Sequence, residues 1–239
     1  MGLFDIFKGK SKTTTTSNPD DPEFSRLVAA DAGKGRVDLM MLDPESGSRA
    51  RFPDLDFLLR DTHWFQAVRK TLQNSGAPDD NIPVVEHLTN DVVQVFGLDA
   101  GDRYTILSPA DLRRYGMGLQ ITRAGALARL RQAVPDLLIE GGSGRFRVSY
   151  PENPDLSASF MLVHGDWLDP NELNGDPVFA VGRRISLHAC GSRDRESLEG
   201  MREIAQVMYA ESVNDPYGNG KPLTKELLTM KDDKLVPFR

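Results

Sequence analysis

The sequence predicts an α+β fold with mainly antiparallel sheet, helices interspersed, and hairpins near both ends. Three observations predict it. Strand-like apolar runs come in hairpin-length pairs joined by turn residues, as in "DLLIE" and "FRVSY" around "GGSG". Helical periodicity is confined to separate segments, clearest in "SRDRESLEGMREIAQVMYAE". Strands and helices do not alternate in the regular order that a doubly wound parallel sheet requires.

The elements follow in order. Residues 1–22 form a flexible tail. "MGLFDIFK" holds Leu3, Phe4, Ile6 and Phe7, and "KGKSKTTTTSNPDDP" is polar, Thr-rich and too poor in apolar residues to fold. The apolar residues of the tail either dock on a membrane surface or partner, or cover the body. A hairpin-helix unit spans 23–80. In it "PEFSRLVAAD" reads as a short helix, and "VDLMML" and "RARF" as strands around the turn "DPESGS". "DLDFLLRDTHWFQAVRKTLQNSG" reads as a helix broken near Asp61 and ended at Gly76.

The main α+β unit spans 81–239, and 23–80 can pack onto it as one domain. "IPVVEHL", "VVQVFGL" and "RYTIL" are strand-like. Ser108, Pro109 and Asp111 open a helix as cap, first-turn proline and dipole-matched acid. In "TRAGALARLRQAV", Leu127, Leu130 and Val134 share one face while Arg123, Arg129 and Arg131 lie elsewhere. "ASFMLV" reads as a strand and "DWLDPNEL" as a short helix. "PVFAV" and "ISLHA" pair through "GRR". Leu198, Met201, Ala205 and Met208 form the inner side of the last helix, and "LLTM" and "KLVPF" close a hairpin through "KDD".

Composition narrows function. With 39% hydrophobic and 27% charged residues the chain supports a packed core. A net charge of −6 and no long basic run offer no general attraction to nucleic acid. The single Cys190 excludes an intrachain disulfide or a multi-thiolate zinc site and fits a reducing cytoplasm. No apolar run approaches bilayer-spanning length. Asp5 interrupts the apolar start, so a signal peptide is not expected, and Ile6 stands where a myristoylation motif wants Ser or Thr.

Few residues carry chemical patterns. His188 and Cys190 lie two apart in a strand and so share a face, where a histidine could activate a thiol. Both would extend in parallel from one rigid strand, whereas nucleophile and base usually converge from different segments, so a core strand is the expectation. In "HGDWLDP", His164 and Asp166 could serve acid–base chemistry, with Asp169 nearby; the other reading is a polar loop anchored by Trp167. His63 and His87 are isolated. In "DPYGNGKPLTKE" the residues Asp215, Asn219, Gly220 and Glu226 match calcium-loop positions, but Tyr217 replaces an oxygen ligand and Pro216 and Pro222 restrict the backbone. "DAGKGR" lacks the spacing of a phosphate loop. No metal site and no cofactor is expected.

The C-terminal half carries a resemblance. "ELNGDPVFAVGRRISLHACGSRDRESLEGMREIA" followed by "KPLTKELLTMKDDKLVPF" resembles the YtpQ-like family of bacterial proteins, the domain of unknown function numbered 1444. Its pattern is a "GDPVVAV" strand, an apolar strand, a "GS-D" turn, a Leu-containing helix and a terminal hairpin. Here these are Gly175–Val181, Ile185–Cys190, Gly191–Asp194, Leu198–Ala205 and the tail from Pro222. "IPVVEHLTNDVVQVFGLDAGDRYTILSPADL" is similar to the family's middle and the hairpin 37–52 more loosely, so the resemblance covers about residues 24–239. In the family the positions of His188 and Cys190 are usually apolar or Thr, which argues against shared His/Cys chemistry. Gly191-Ser192 is structural on this comparison, with Ser192 or Asp194 capping the next helix. The resemblance implies a fold and no reaction.

The expectation is therefore a cytoplasmic, non-enzymatic protein-binding module, adaptor- or immunity-like, with an acidic face matched to a basic partner. The alternative is a hydrolase whose acid–base groups converge only in three dimensions, with His164 and Asp166 ahead of His188 and Cys190. A small-ligand or nucleotide sensor rests only on Gly-rich loops.

Overall fold

A computed structural model describes strands 40–42 and 49–51 and residues 55–99, 104–214, 220–232 and 234–239. The tail 1–22, "PEFSRLVAAD", "DAGKGR" and residues 215–219, where the calcium-like spacing begins, lie outside the described residues. The architecture is α+β. Strands β1 (Met40–Leu42) and β2 (Arg49–Arg51) form the antiparallel hairpin that the "DPESGS" turn predicts, with Met40 opposite Arg51.

The segment read as a broken helix is half strand. Leu55–Asp61 is β3, buried along most of its length, and helix α1 (Thr62–Asn74) starts at the predicted break. Leu55, Leu58 and Leu59 sit at i, i+3 and i+4, which mimics helical periodicity. β3 nevertheless extends because β5 (Val92–Asp99) pairs with it over its whole length, Leu55 against Leu98 through Asp61 against Val92. β3 is buried on both faces, so Phe57, Leu58 and Leu59 follow one another without alternation while Asp56 and Arg60 are buried beside them. Asp61 then caps α1, its Oδ1 accepting from the Trp64 N–H at 2.9 Å. On its other side β5 pairs with β4 (Val85–His87) and, further along, with β6 (Tyr104–Ile106).

Two helices follow. α2 (Pro109–Arg114) opens with a complete capping box: Asp111 N–H donates to Ser108 Oγ at 3.2 Å, and Ser108 N–H donates to Asp111 Oδ2 at 2.9 Å. α3 (Leu119–Gln132) buries Thr122, Gly125, Ala126 and Leu130.

A second, six-stranded sheet is antiparallel throughout. It contains β7 (Leu138–Gly142), β8 (Arg145–Ser149), β9 (Pro177–Ala180), β10 (Leu187–Gly191), β11 (Leu227–Lys231) and β12 (Lys234–Pro237), in the order β12-β11-β9-β10-β8-β7. Helix α4 (Arg195–Val213) lays Leu198, Met201 and Ala205 on Val178, Ala180, Cys190 and Leu227 of one face. The alternate residues Phe146, Val148, Phe179, Leu187, Ala189 and Leu228 face the main core.

"ASFMLV" is not a strand. It lies in a 3-10 segment, Pro154–Asp166, with a kink at Val163. Side chains replace the ladder here: Ser157 Oγ accepts from Tyr150 N–H at 3.0 Å, and Ser159 Oγ donates to the Phe57 carbonyl at 2.8 Å. "DWLDPNEL" supplies only the 3-10 turn Pro170–Glu172, capped by Asp169. The main core contains Leu55, Phe57, Leu58 and Leu59 together with residues as distant as Leu228 and Leu235, so residues 55–80 and 81–239 share it.

Candidate functional site

Where β4 of one sheet meets β12 of the other, a cleft of about 900 Å³ opens, walled by α3 and the end of the 3-10 segment. Phe57, Leu127, Leu162, Met230 and Leu235 contribute apolar surface. Glu86, His87, Arg123, Arg131, His164, Asp166 and Lys234 contribute polar and charged groups. Both His164 and Asp166 thus line one cleft.

They do not form a pair. Asp166 Oδ2 accepts from Arg131 Nε at 3.1 Å. His164 Nδ1 lies 3.1 Å from the Met161 carbonyl, and its ring meets Phe179 edge-on at 5.4 Å. The imidazole is held by its own segment and by a core aromatic, not by a carboxylate. Trp167 is the anchor expected of it, its Nε1–H donating to the Phe160 carbonyl at 2.9 Å.

The sequence reading did not select the cleft's cations. The expectation that Leu127 lies on a face apart from Arg123 and Arg131 is corrected: the three recur every four residues and share the cleft side of α3, while Thr122, Ala126 and Leu130 form its buried face. Arg123 Nη1 is 3.6 Å from Glu86 Oε1, and Gln94 Nε2 donates to Glu86 Oε2 at 2.9 Å. Among the described residues Lys234 makes no ion pair.

His188 and Cys190 lie elsewhere, on the α4 side of the second sheet. Cys190 is completely buried among Val178, Ala180, Leu198 and Met201. Burial pushes its thiol up to about 11, with Asp194 adding to the effect. A thiol held protonated is a poor nucleophile. His188 is held down at about 4 by burial and then by Arg147, Arg145 and Arg183. An imidazole held neutral in this way cannot stabilise a thiolate as an ion pair.

Gly191 and Ser192 do what the turn reading expects. A Cβ on Gly191 would sit 2.3 Å from the Asn174 carbonyl oxygen. Ser192 N–H donates to the Asp176 carbonyl at 2.8 Å, and Ser192 Oγ accepts from Asp176 N–H at 2.9 Å. Asp194 is the cap of α4, accepting from Ser197 N–H at 3.1 Å.

Two further polar centres are structural. Asp56, 1% exposed, accepts from Arg129 Nε and from Tyr104 Oη, each at 2.9 Å, and Asn153 Nδ2 donates to Tyr104 Oη. Burial outweighs both partners and holds the Asp56 carboxyl above its usual range. Arg60 and Arg184 are also buried; Arg184 Nη1 reaches Asp155 Oδ2 at 3.1 Å, while its Nε has no hydrogen-bond partner. Burial, then Arg184, lowers Arg60 to about 9.

Among the described residues no three His, Cys, Asp or Glu side chains gather as a metal set, and no helix is long and apolar enough to cross a membrane. No family model, no curated protein and no solved structure matches this chain.

Proposed function

We propose that the chain is a cytoplasmic protein-binding module, adaptor- or immunity-like, that uses the β4–β12 cleft to hold a segment of its partner and catalyses no reaction. One observation carries this reading: among the candidates His164, Asp166, His188 and Cys190, no two are paired with each other. Asp166 answers Arg131, His164 answers Met161 and Phe179, and Cys190 is buried and protonated. What the cleft offers is an apolar floor inside a charged rim, the anatomy of a recognition surface. On the rim Arg123 answers Glu86 and Arg131 answers Asp166, which leaves Lys234 to meet a carboxylate of the segment that the cleft holds. Kinship with the YtpQ-like family belongs to this proposal, on the turn and strand words of residues 175–205.

The test is a pull-down from the native host with quantitative mass spectrometry. Wild-type bait is compared with Lys234→Glu and with bait lacking residues 1–22. One stoichiometric partner, lost with Lys234→Glu, supports the cleft; loss on truncation gives the tail a docking role. A clean wild-type bait overturns the reading. Weight then moves to the hydrolase, which one fact favours: His164 and Asp166 line the same cleft. A substrate screen with His164→Ala as control would follow.

A further inference from the structure

α4 covers only part of its sheet face. It packs chiefly on β9, β10 and β11, and reaches β8 through Gly200, which lies against Arg145. A groove of about 430 Å³ lies at the β7–β8 end, lined by Gly141, Gly142, Arg145, Arg147 and His188, with Glu140 at its side. The register sets its chemistry. Arg145 stands opposite Cys190 and Arg147 opposite His188, so both arginines project to the α4 side, about 7 Å apart along the strand.

Arg145 has an unusual seat. Its guanidinium lies over Gly200 of α4, where a Cβ would come within 3.3 Å of Nη1. Glycine inside a helix is destabilising, and here it leaves the guanidinium room. Among the described residues Arg145 makes no hydrogen bond or ion pair. Among the described residues the ion-pair partner of Arg147 is Glu140, at 3.5 Å, with both side chains more than half exposed. Arg183, in the β9–β10 connection and outside the groove, has a buried Nε with no hydrogen-bond partner, lies 3.9 Å from Glu211, and adds its charge to the field on His188. Arg145 and Arg147 thus share the groove with His188, and the carboxylates near them, Asp194 and Glu140, make no close hydrogen bond to either guanidinium.

We propose that this groove binds a small phosphate monoester, with the phosphate between Arg145 and Arg147 beside His188 and the organic group along Gly141 and Gly142. Phosphate is preferred over carboxylate on shape. Two guanidiniums approaching from separate positions on a strand need acceptor oxygens in more than one plane, which a tetrahedral phosphate has and a planar carboxylate lacks. The proposal stands apart from the cleft reading and survives its failure.

Binding has a built-in reporter. Arg145 and Arg147 of β8 and Glu140 of β7 line the groove with His188; Arg183 adds its charge from outside it, and Asp194, the cap of α4, acts on Arg145. An anion seated among these cations offsets their repulsion of the imidazolium and raises the His188 titration midpoint. The chain has four histidines, so imidazole proton NMR with His188→Gln for assignment resolves the signal.

The experiment titrates the full chain with inorganic phosphate at constant ionic strength, alongside sodium acetate and sodium chloride. The expected result is a saturable shift of His188 alone and a midpoint raised by about one pH unit with phosphate. Arg145→Gln, checked for folding by circular dichroism, weakens phosphate binding by about tenfold or more. Glycerol 3-phosphate is expected to bind more tightly than inorganic phosphate. A shift equal in chloride, or unchanged in Arg145→Gln, overturns the site. Equal binding of acetate overturns the phosphate assignment.

Discussion

Asp56 and Arg129 form a hydrogen-bonded ion pair at 2.9 Å in which only the arginine reaches solvent; the carboxylate is 1% exposed. The two are 73 positions apart and tie β3 to α3. Removing the cation leaves a buried charge with Tyr104 as its remaining hydrogen-bond donor. Arg129→Met should lower stability by about 3 kcal/mol at neutral pH, measured by urea denaturation. Burial already holds the Asp56 carboxyl above its usual value, so its protonated form is the one the fold favours. That contribution is complete below 3.8 and is lost as pH rises through the folded value. The deficit of Arg129→Met should therefore shrink on acidification; a pH-independent deficit would assign it to packing.

Arg184 predicts the opposite sign. It is buried beside Arg60, its Nε has no partner, and its counter-ion Asp155 is partly solvated. Arg184→Met removes a like-charge neighbour from Arg60 and keeps the packing volume. Stability should stay within about 1 kcal/mol of wild type or rise. A loss as large as that of Arg129→Met would show that the Asp155 bridge outweighs the burial of two arginines.

Two glycines separate rigid from yielding contacts. At Gly191 a Cβ would meet the Asn174 backbone at 2.3 Å, whereas at Gly97 it would meet the Leu58 and Tyr104 side chains at 2.4 and 2.9 Å. Side chains can rotate away and a paired backbone cannot. Gly191→Ala should cost about 3 kcal/mol and Gly97→Ala about 1 to 2 kcal/mol by chemical denaturation. The reverse order would refute the turn role given to Gly191.

His188 should give the fold an acid-sensitive flank. Its folded value is about 4 against 6.5 for the free side chain. Between those values the unfolded chain binds the proton and the folded chain does not, so stability falls as pH drops from 6.5 toward 4. The loss attributable to this residue approaches roughly 3 kcal/mol. His188→Gln, compared with wild type across that window in phosphate-free buffer, should flatten the slope. Parallel slopes would place the acid sensitivity elsewhere.

Cys190 should be silent to thiol reagents in the native state. It is fully buried and its thiol is raised to about 11. Labelling by a disulfide reagent is expected to be at least roughly a thousandfold slower than in denaturant, because it waits for local or global opening. Rapid native labelling would reopen the nucleophile reading.

Much of the fold was legible because local signals agreed with tertiary ones. The hairpin of "DLLIE" and "FRVSY", the Ser108 cap and the Leu198–Met208 stripe each specify one local structure, although β7 continues through Gly141 and Gly142 so that Ser143 and Gly144 alone make the turn. The errors came where they conflicted. Leu55, Leu58 and Leu59 carry helical spacing, but β5 claims the segment as its partner. "ASFMLV" is apolar enough for a strand, yet Ser157 and Ser159 spend their hydrogen bonds on Tyr150 and Phe57 and hold it as a 3-10 run. The cleft was half legible. His164 and Asp166 stand close in sequence and share the cleft, but Arg131 lies 35 positions from Asp166 and no spacing rule connects them.

The two borders of the six-stranded sheet bear on how the chain survives at high concentration. At one border β12 ends in Pro237, which has no N–H to offer an incoming strand, and begins with Lys234. At the other, β7 exposes Leu138 and Ile139 but follows them at once with Glu140, Gly141 and Gly142. A charge and two poor strand formers thus stand directly after the stickiest pair of residues on the sheet. This is the arrangement by which natural sequences keep an unavoidable apolar border from recruiting further chains into fibrils.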